Sequence, residues 1–248
     1  MHLGGYLYRV ALVTGLILAC ALPFASIAVW YSRTRRWGLL FFVTSLVVLN
    51  LALDELPRVG VFQHLYWSWQ ESLLSTAWPF LLIALVPAIS LASIGVTSRL
   101  RTGWLKPSII AGLLALAVPA VFFLLGARKK LDAGSWAFLM IMPGLAEEVV
   151  FRGVFQSLLN DVFGKPWRLA NAEFGWGLVI TAVLFAGSNG LVKVDPQLHP
   201  HIVLPAAIAP FLMSLVSGWI RERTDSVWPS VFGHNLSNLV IPLASLFT

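Results

Sequence analysis

Residues 135–159 read SWAFLMIMPGLAEEVVFRGVFQSLL, an apolar run that is interrupted by two adjacent glutamates and one arginine. A helix needs about 20 mostly apolar residues to cross roughly 30 Å of hydrocarbon, and this stretch is long enough to do so. A charged side chain at the centre of such a helix costs about 2.5–3.5 kcal/mol on insertion scales. Glu147, Glu148 and Arg152 therefore indicate a polar cavity and a functional site inside a membrane protein.

Seven similar runs accompany this one, and together they predict an all-α integral membrane protein, a polytopic bundle of eight transmembrane helices. The predicted spans are 7–30, 37–56, 74–98, 108–126, 135–159, 174–192, 202–220 and 227–247. All of them form a single transmembrane domain. Within it, residues 1–130 hold four N-terminal spans, and residues 131–248 form the half in which the polar motifs lie.

The composition supports a membrane protein and excludes other classes. Only 11% of the residues are charged and 58% are hydrophobic, whereas an ordinary soluble domain has about 25% charged residues. Cys20 is the one cysteine, so no intramolecular disulfide forms. The net charge of +6 comes from basic residues in short loops, a pattern that sets membrane orientation and does not indicate nucleic-acid binding.

The distribution of these basic residues predicts the orientation of the chain. The loops after spans one, three, five and seven hold ten of them: Arg33, Arg35, Arg36, Arg99, Arg101, Lys106, Lys165, Arg168, Arg221 and Arg223. The opposite side holds six: Arg9, Arg58, Arg128, Lys129, Lys130 and Lys193. The positive-inside rule therefore places both termini outside.

The spacing of the three charges in the fifth span suggests separate roles for the two acids. Arg152 follows Glu148 by four residues, so the two lie on one helix face and can neutralise each other. Glu147 points about 100° away, in a different environment. We expect Glu148 to stay ionised and Glu147 to act as a general base or acid. A buried Glu148–Arg152 pair that only holds helices together is the alternative, and it leaves Glu147 without a partner.

A second polar cluster lies in the last span, where His234 and Asn238 are one helical turn apart. Such a pair presents an imidazole and an amide side by side, which suits the orientation of a water and hydrogen bonding to a developing oxyanion. A single intramembrane histidine is more often a packing residue. The double glutamate elsewhere in the membrane favours a functional role.

These residues carry a family resemblance. Residues 147–152 (EEVVFR) match the EExxxR motif, and residues 234–238 (HNLSN) match the HxxxN motif, of the CAAX protease and bacteriocin-processing family, also called CPBP or ABI. The charged stretch 221–230 resembles the turn that precedes the last motif in this family. The resemblance covers roughly residues 136–246 and implies an intramembrane protease.

One position departs from the family pattern. The family usually has an FxxxH motif between the other two, and here residues 185–189 (FAGSN) place Asn189 where histidine is expected. Asparagine cannot take up a proton at neutral pH or replace imidazole as a metal ligand. We therefore favour a metal-free glutamic mechanism without a cofactor over a zinc site. Three interpretations stay open: a natural variant, a disabled enzyme, or an inactivating substitution. His199 and His201 offer a replacement imidazole, but we interpret them as loop residues.

The resemblance implies an endopeptidase that hydrolyses a peptide bond in a membrane-tethered substrate with water activated by glutamate. The catalytic residues would be Glu147, Glu148, Arg152, Asn189, His234 and Asn238. Its substrate would be a CaaX-like tail, a leader peptide or a C-terminal sorting tail. Short loops and the absence of a targeting extension favour a prokaryotic inner membrane as its location. The partners are this substrate and the lipid bilayer, without nucleic acid. The rival hypotheses are a disabled membrane scaffold and a transporter that uses the paired glutamates as an ion site.

Overall fold

A computed structural model describes residues 3–56, 69–87, 89–127, 131–195 and 197–247. Its architecture is almost entirely helical. The N-terminal half contributes four helices: α1 (Leu3–Ser32), α2 (Trp37–Glu55), α3 (Trp69–Leu85) and α4 (Leu105–Leu124). The first, second and fourth of them lie close to the predicted spans.

The C-terminal half contains two helices that change register without ending. Helix α5 (Ala133–Glu148) continues through a π-helical segment (Val149–Phe155) into α6 (Gln156–Phe163). Helix α7 (Trp176–Ala186) runs into a second π-helical segment (Gly187–Leu191). Helices α8 (Leu204–Thr224) and α9 (Trp228–Ala244) follow, and a 3₁₀ turn (Ser245–Phe247) extends α9. The described residues thus contain eight continuous helical stretches, one for each predicted span.

Four of the described helices, α1, α2, α4 and α8, are long and apolar enough to cross a bilayer. Residues 76–85 of α3 and the stretch 176–191 are shorter apolar helices. Exposed leucine, isoleucine and phenylalanine side chains cover the outer faces of α1, α2 and α4. This outward apolar surface is what a lipid-facing bundle requires.

The third predicted span differs most from the structure. Helix α3 ends at Leu85, whereas the hydrophobicity predicted a helix to residue 98. Pro87 has no N–H for a helix hydrogen bond. Ser90 and Ser93 bind each other's backbone N–H groups with their hydroxyls, and Gly95 has a φ of +77°. Residues 89–104 therefore form an irregular segment that packs on the junction between α8 and α9.

Two short hairpins, which the sequence patterns did not predict, lie in the loops. Strand β1 (Trp167–Leu169) pairs antiparallel with β2 (Ala172–Phe174) through a turn whose two residues have positive φ angles. Strand β3 (Val192–Val194) pairs antiparallel with β4 (Pro200–Ile202). Both are three-residue strands, so helix remains the fold class of the chain.

Two ion pairs of the described residues lie at opposite ends of the bundle. Arg9 binds Glu55 at 2.6 Å and the carbonyl of Val194 at 3.2 Å, which joins the ends of α1, α2 and β3. At the other end Arg101 binds Asp225. Arg58 and residues 128–130, on which the orientation argument also rests, lie outside the described residues. The outside location of the termini stays a prediction.

The α5–π–α6 helix lies at the centre of the bundle. All seven residues from Val149 to Phe155 are buried. Helices α3 and α9 pack against α5, helix α4 packs on the outer side of α9, and α1 packs against α7. This arrangement buries the EExxxR motif behind helices from both halves of the chain.

Candidate active site

The EExxxR helix begins at a side-chain cap and bends at a proline. The Asp132 carboxylate accepts a hydrogen bond from the N–H of Ser135 at 2.7 Å, and this bond lowers the pKa of Asp132. Further along, Pro143 interrupts the hydrogen-bond ladder of α5. The site residues follow one turn after this interruption, so the position of the bend determines where they point.

Asn235 joins α9 to this bend. Its Oδ1 accepts from the N–H of Gly144 at 2.7 Å, and its Nδ2 donates to the carbonyl of Ile141 at 3.2 Å. A Cβ on residue 144 would lie 2.5 Å from the carbonyl oxygen of Val231, so glycine is required for this approach. Residue 235 lies inside the HxxxN motif, yet the motif spacing gives it no role. Its role follows only from its hydrogen bonds to the backbone on either side of Pro143.

Glu148 is completely buried and has two charged or polar partners. Its Oε2 lies 3.1 Å from Nε of Arg152, which is itself buried. Its Oε1 lies 2.9 Å from Nδ1 of His234. An ionised carboxylate only accepts hydrogen bonds, so Nδ1 of His234 is the donor. Glu148 therefore connects the EExxxR helix to the HxxxN helix.

Glu147 has a different environment. About a third of its side chain is exposed, against none of that of Glu148. Its Oε2 lies 4.0 Å from Nε2 of His234 and has no hydrogen-bond partner among the described residues. The Asn189 side chain lies near the same carboxylate. Glu147 thus lies where α5, α7 and α9 meet, partly exposed, with one buried oxygen that lacks a hydrogen-bond partner among the described residues.

Asn189 lies in the π-helical segment after α7. Its Nδ2 also donates to the carbonyl of Phe185 at 3.2 Å. Gly190 has the backbone of Ala206 where a Cβ would be, so this segment lies directly against α8. Asn189 and His234 both lie near the Glu147 carboxylate, so the three motifs meet at one site.

Phe185, the first residue of the FxxxN motif, packs against two other site residues. Its ring centre lies 4.6 Å from Cζ of Arg152, in cation–π geometry. The rings of Phe185 and His234 meet edge to face with centres 6.1 Å apart. From the sequence, this phenylalanine has no role beyond its match to the motif. In the structure it contacts residues of both other motifs.

Asn238 is half-buried one turn after His234 on α9. It has no hydrogen bond to any residue that the structure describes. The His199 and His201 imidazoles lie instead on the β3–β4 hairpin, 3.1 and 3.5 Å from Asp195. The His199 backbone N–H lowers the pKa of the Asp195 carboxyl. These two histidines belong to a loop cluster of their own, in agreement with our interpretation.

The donor atoms at the site do not suit a zinc ion. A catalytic zinc has three protein ligands. Nδ1 of His234 is occupied by Glu148, which leaves Nε2 of His234 and the Glu147 carboxylate, with an amide where a third ligand would be. Within the described ranges, no three His, Cys, Asp or Glu side chains are arranged for a metal.

A buried polar row extends from the site along the central helix. Gln156 and Asn160 continue the four-residue spacing of Glu148 and Arg152. Both donate to Oε1 of the fully buried Glu222, at 2.7 and 2.8 Å. Lys165 binds the other oxygen of Glu222. This network was not predicted, because its members look like ordinary span-end polar residues in the sequence.

Comparison with known proteins agrees with the motifs. Residues 129–240 match the family described as Rce1-like, "Type II CAAX prenyl endopeptidase Rce1-like". The matched region includes all three motifs and confirms the resemblance. Members of this family are multi-pass intramembrane proteases, so the match also confirms the fold class of an all-α integral membrane protein and supports protease activity at the level of the family.

A bacterial relative extends the comparison only slightly. The chain is 32% identical over 90 residues to "Uncharacterized protein YjlA" of Bacillus subtilis (strain 168). This alignment covers 34% of the chain and 28% of that protein's length. No solved structure matches the chain.

Proposed function

We propose that this multi-pass membrane protein, whose residues 129–240 match the Rce1-like family, is an intramembrane endopeptidase of the glutamic type. One observation supports this most directly. Glu147 is about a third exposed and has a buried carboxylate oxygen without a hydrogen-bond partner among the described residues, 4.0 Å from Nε2 of His234, while the fully buried Glu148 pairs with Arg152 and His234. Two neighbouring acids in such different environments suit two different roles.

In this mechanism Glu147 is the general base. It takes a proton from a water molecule, whose oxygen attacks the carbonyl carbon of the scissile peptide bond. The resulting tetrahedral intermediate collapses, the C–N bond breaks, and Glu147 returns the proton to the leaving amine. Proton transfer of this kind contributes about 10²–10⁴-fold in rate.

The remaining site residues position the water and stabilise charge. Glu148, paired with Arg152, holds the His234 ring, so that Nε2 points toward the Glu147 carboxylate. Asn189 lies near the Glu147 carboxylate and helps to hold the water. Asn238 donates to the oxyanion, assisted by His234 or Asn189. A donor of this type contributes about 2.7–4 kcal/mol of transition-state stabilisation.

The mechanism requires no metal or other cofactor. Asn189 replaces the histidine that a zinc site would use as a ligand. The imidazole of His234 and the carboxylate of Glu147 then provide two ligands, and the usual catalytic site needs three. Activity is therefore expected to resist chelators, and loss in chelator with rescue by added zinc would contradict the glutamic mechanism.

The substrate is proposed to be membrane-tethered, because the reacting groups lie among membrane-spanning helices. Three kinds fit: CaaX-like tails, leader peptides and C-terminal sorting tails. A bacterial relative and short loops favour a prokaryotic cytoplasmic membrane.

The decisive experiment compares Glu147→Gln with the unmodified protein in liposomes that contain each kind of tethered peptide. The products are identified by mass spectrometry. We expect cleavage by the unmodified chain and a loss of at least about 100-fold in Glu147→Gln. Glu173→Gln, which changes an exposed carboxylate on the β1–β2 hairpin, is the matched control. Equal cleavage by Glu147→Gln would overturn the proposal, and ion flux without cleavage would favour the transporter.

A further inference from the structure

A second cavity lies on the outer side of α9, away from the candidate active site. It has a volume of about 570 Å³, within the usual range of roughly 300–1,000 Å³ for ligand pockets. Its walls come from α4, α9 and the irregular segment before α4. They are almost entirely apolar and include Trp104, Ile109, Leu113, Phe232 and Leu236. None of the six candidate catalytic residues lines it.

One polar group in this apolar lining has no partner. Ser108 is only 7% exposed, and its hydroxyl makes no hydrogen bond within the described part of the chain. Leaving such a group unpaired destabilises the fold. A ligand with a hydrogen-bond acceptor at this depth, such as an ester carbonyl, would remove that destabilisation.

Two basic residues adjoin the lining of the cavity along the chain. Arg99 lies between the lining residues Ser98 and Leu100, and Lys106 follows the lining residue Leu105. Both basic side chains are exposed and make no ion pair with a described residue. Asp225, at the same end of the bundle, is bound by Arg101.

The start of α4 adds to this positive potential. No side chain caps the N-terminus of the helix at Leu105, and its first turn contains no acidic residue. Helix N-termini attract anions because their first N–H groups lack intrahelical partners. Ser108 lies about one turn, 5.4 Å, further along the same helix.

We propose that this cavity binds an anionic phospholipid. One acyl chain fills the apolar interior, the phosphate lies at the start of α4 between Arg99 and Lys106, and an ester carbonyl accepts a hydrogen bond from Ser108. The apolar cavity, the buried hydroxyl and the two basic residues follow one another in the same order as the acyl chain, the ester and the phosphate of a phospholipid. The position at the end of the bundle with most basic residues places the phosphate at headgroup level.

The test uses the purified full chain in liposomes that contain phosphatidylcholine or phosphatidylglycerol with brominated acyl chains, which quench tryptophan fluorescence on contact. Trp104 and Trp228 line the cavity, and their share of the quenching is the part that is lost when both are replaced by phenylalanine, since the chain has eleven tryptophans. We expect stronger quenching by brominated phosphatidylglycerol than by brominated phosphatidylcholine at the same mole fraction. Equal quenching by the two lipids would overturn the proposal.

Three variants connect this signal to the cavity. Gly112→Leu fills it, because a Cβ at that position meets open space. Ser108→Ala removes the hydroxyl, and Lys106→Gln removes one of the two adjoining basic charges. We expect each to reduce the preference for phosphatidylglycerol. Gly15→Leu, at an equally open site on α1, and Lys193→Gln, at the opposite end of the bundle, are the controls.

The variants also distinguish other occupants. An unchanged preference in all three cavity variants would overturn the proposal. Displacement of the quenching by a lipidated peptide, but not by excess unbrominated phosphatidylglycerol, would also overturn it and would assign the cavity to a substrate.

Discussion

Nδ1 of His234 lies 2.9 Å from Oε1 of Glu148, although the two residues are 86 positions apart in the chain. This contact fixes the HxxxN helix against the EExxxR helix and gives Glu148 a second partner besides Arg152. A buried charge that has lost its partner is far more costly than a buried pair. The stability of the bundle should therefore depend on the complete set of three.

The first prediction concerns Arg152. Arg152→Met should lower the free energy of unfolding by about 3–5 kcal/mol, because it leaves the buried Glu148 carboxylate without its cation. Thermal unfolding in detergent measures this loss. The double variant Glu148→Gln, Arg152→Met should recover part of the stability. If Arg152→Met alone leaves the unfolding temperature unchanged, the ion pair does not have this structural role.

The second prediction concerns the bend of α5. Asn235→Ala should cost about 1–3 kcal/mol of unfolding free energy, because the buried Gly144 N–H loses its acceptor. Gly144→Ala should also destabilise, since its Cβ would come too close to the Val231 carbonyl. The same unfolding assay measures both variants. Unfolding temperatures like that of the unmodified chain would show that Asn235 is dispensable for joining α9 to α5.

The third prediction concerns Asn238, whose amide makes no hydrogen bond to the described residues. Asn238→Ala should leave the unfolding temperature nearly unchanged but reduce kcat by about 10²–10³-fold, as expected for loss of an oxyanion donor. The comparison is Asn235→Ala on the same helix, which is expected to lower the unfolding temperature. A rise in KM with constant kcat would contradict the oxyanion role and indicate substrate binding.

The fourth prediction concerns the buried network around Glu222. Glu222→Leu removes the acceptor of Asn160 and Lys165 and one of the two acceptors of Gln156, which also donates to the Gly218 carbonyl. It should destabilise the protein by about 1–3 kcal/mol for each buried donor left unpaired. Glu173→Gln, on the surface, should change stability by less than about 0.5 kcal/mol. Similar unfolding temperatures for the two variants would mean that the network contributes nothing.

The parts that the sequence predicted are those that depend on local spacing. The separation of four between Glu148 and Arg152 predicted their pairing on one helix face, and the separation of one between the glutamates predicted different environments. The eight apolar runs predicted eight helical stretches. In each case the relevant periodicity lies within a single helix.

The parts that it did not predict depend on hydrogen-bond register or on distant contacts. Hydrophobicity alone predicted a helix that continues past Leu85. The helix ends there because of Pro87 and the hydroxyls of Ser90 and Ser93, which a hydrophobicity pattern does not take into account. The π-helical segments, one of which contains Asn189, likewise cannot be recognised from the periodicity of apolar residues. The partner of Asn235 is set by a bend some 90 residues earlier in the chain.

The last prediction tests whether the amide of Asn189 supports catalysis. Asn189 lies near the Glu147 carboxylate, and in the proposed mechanism it helps to hold the attacking water without a metal. The unmodified chain should therefore cleave its tethered substrate in the presence of chelator. Asn189→His should change the rate without creating activity that was absent before, and Asn189→Ala should lower it. Cleavage assays of the three proteins, with and without chelator and added zinc, measure this. Activity that appears only in Asn189→His and requires zinc would identify the unmodified chain as a disabled protease and favour the scaffold hypothesis.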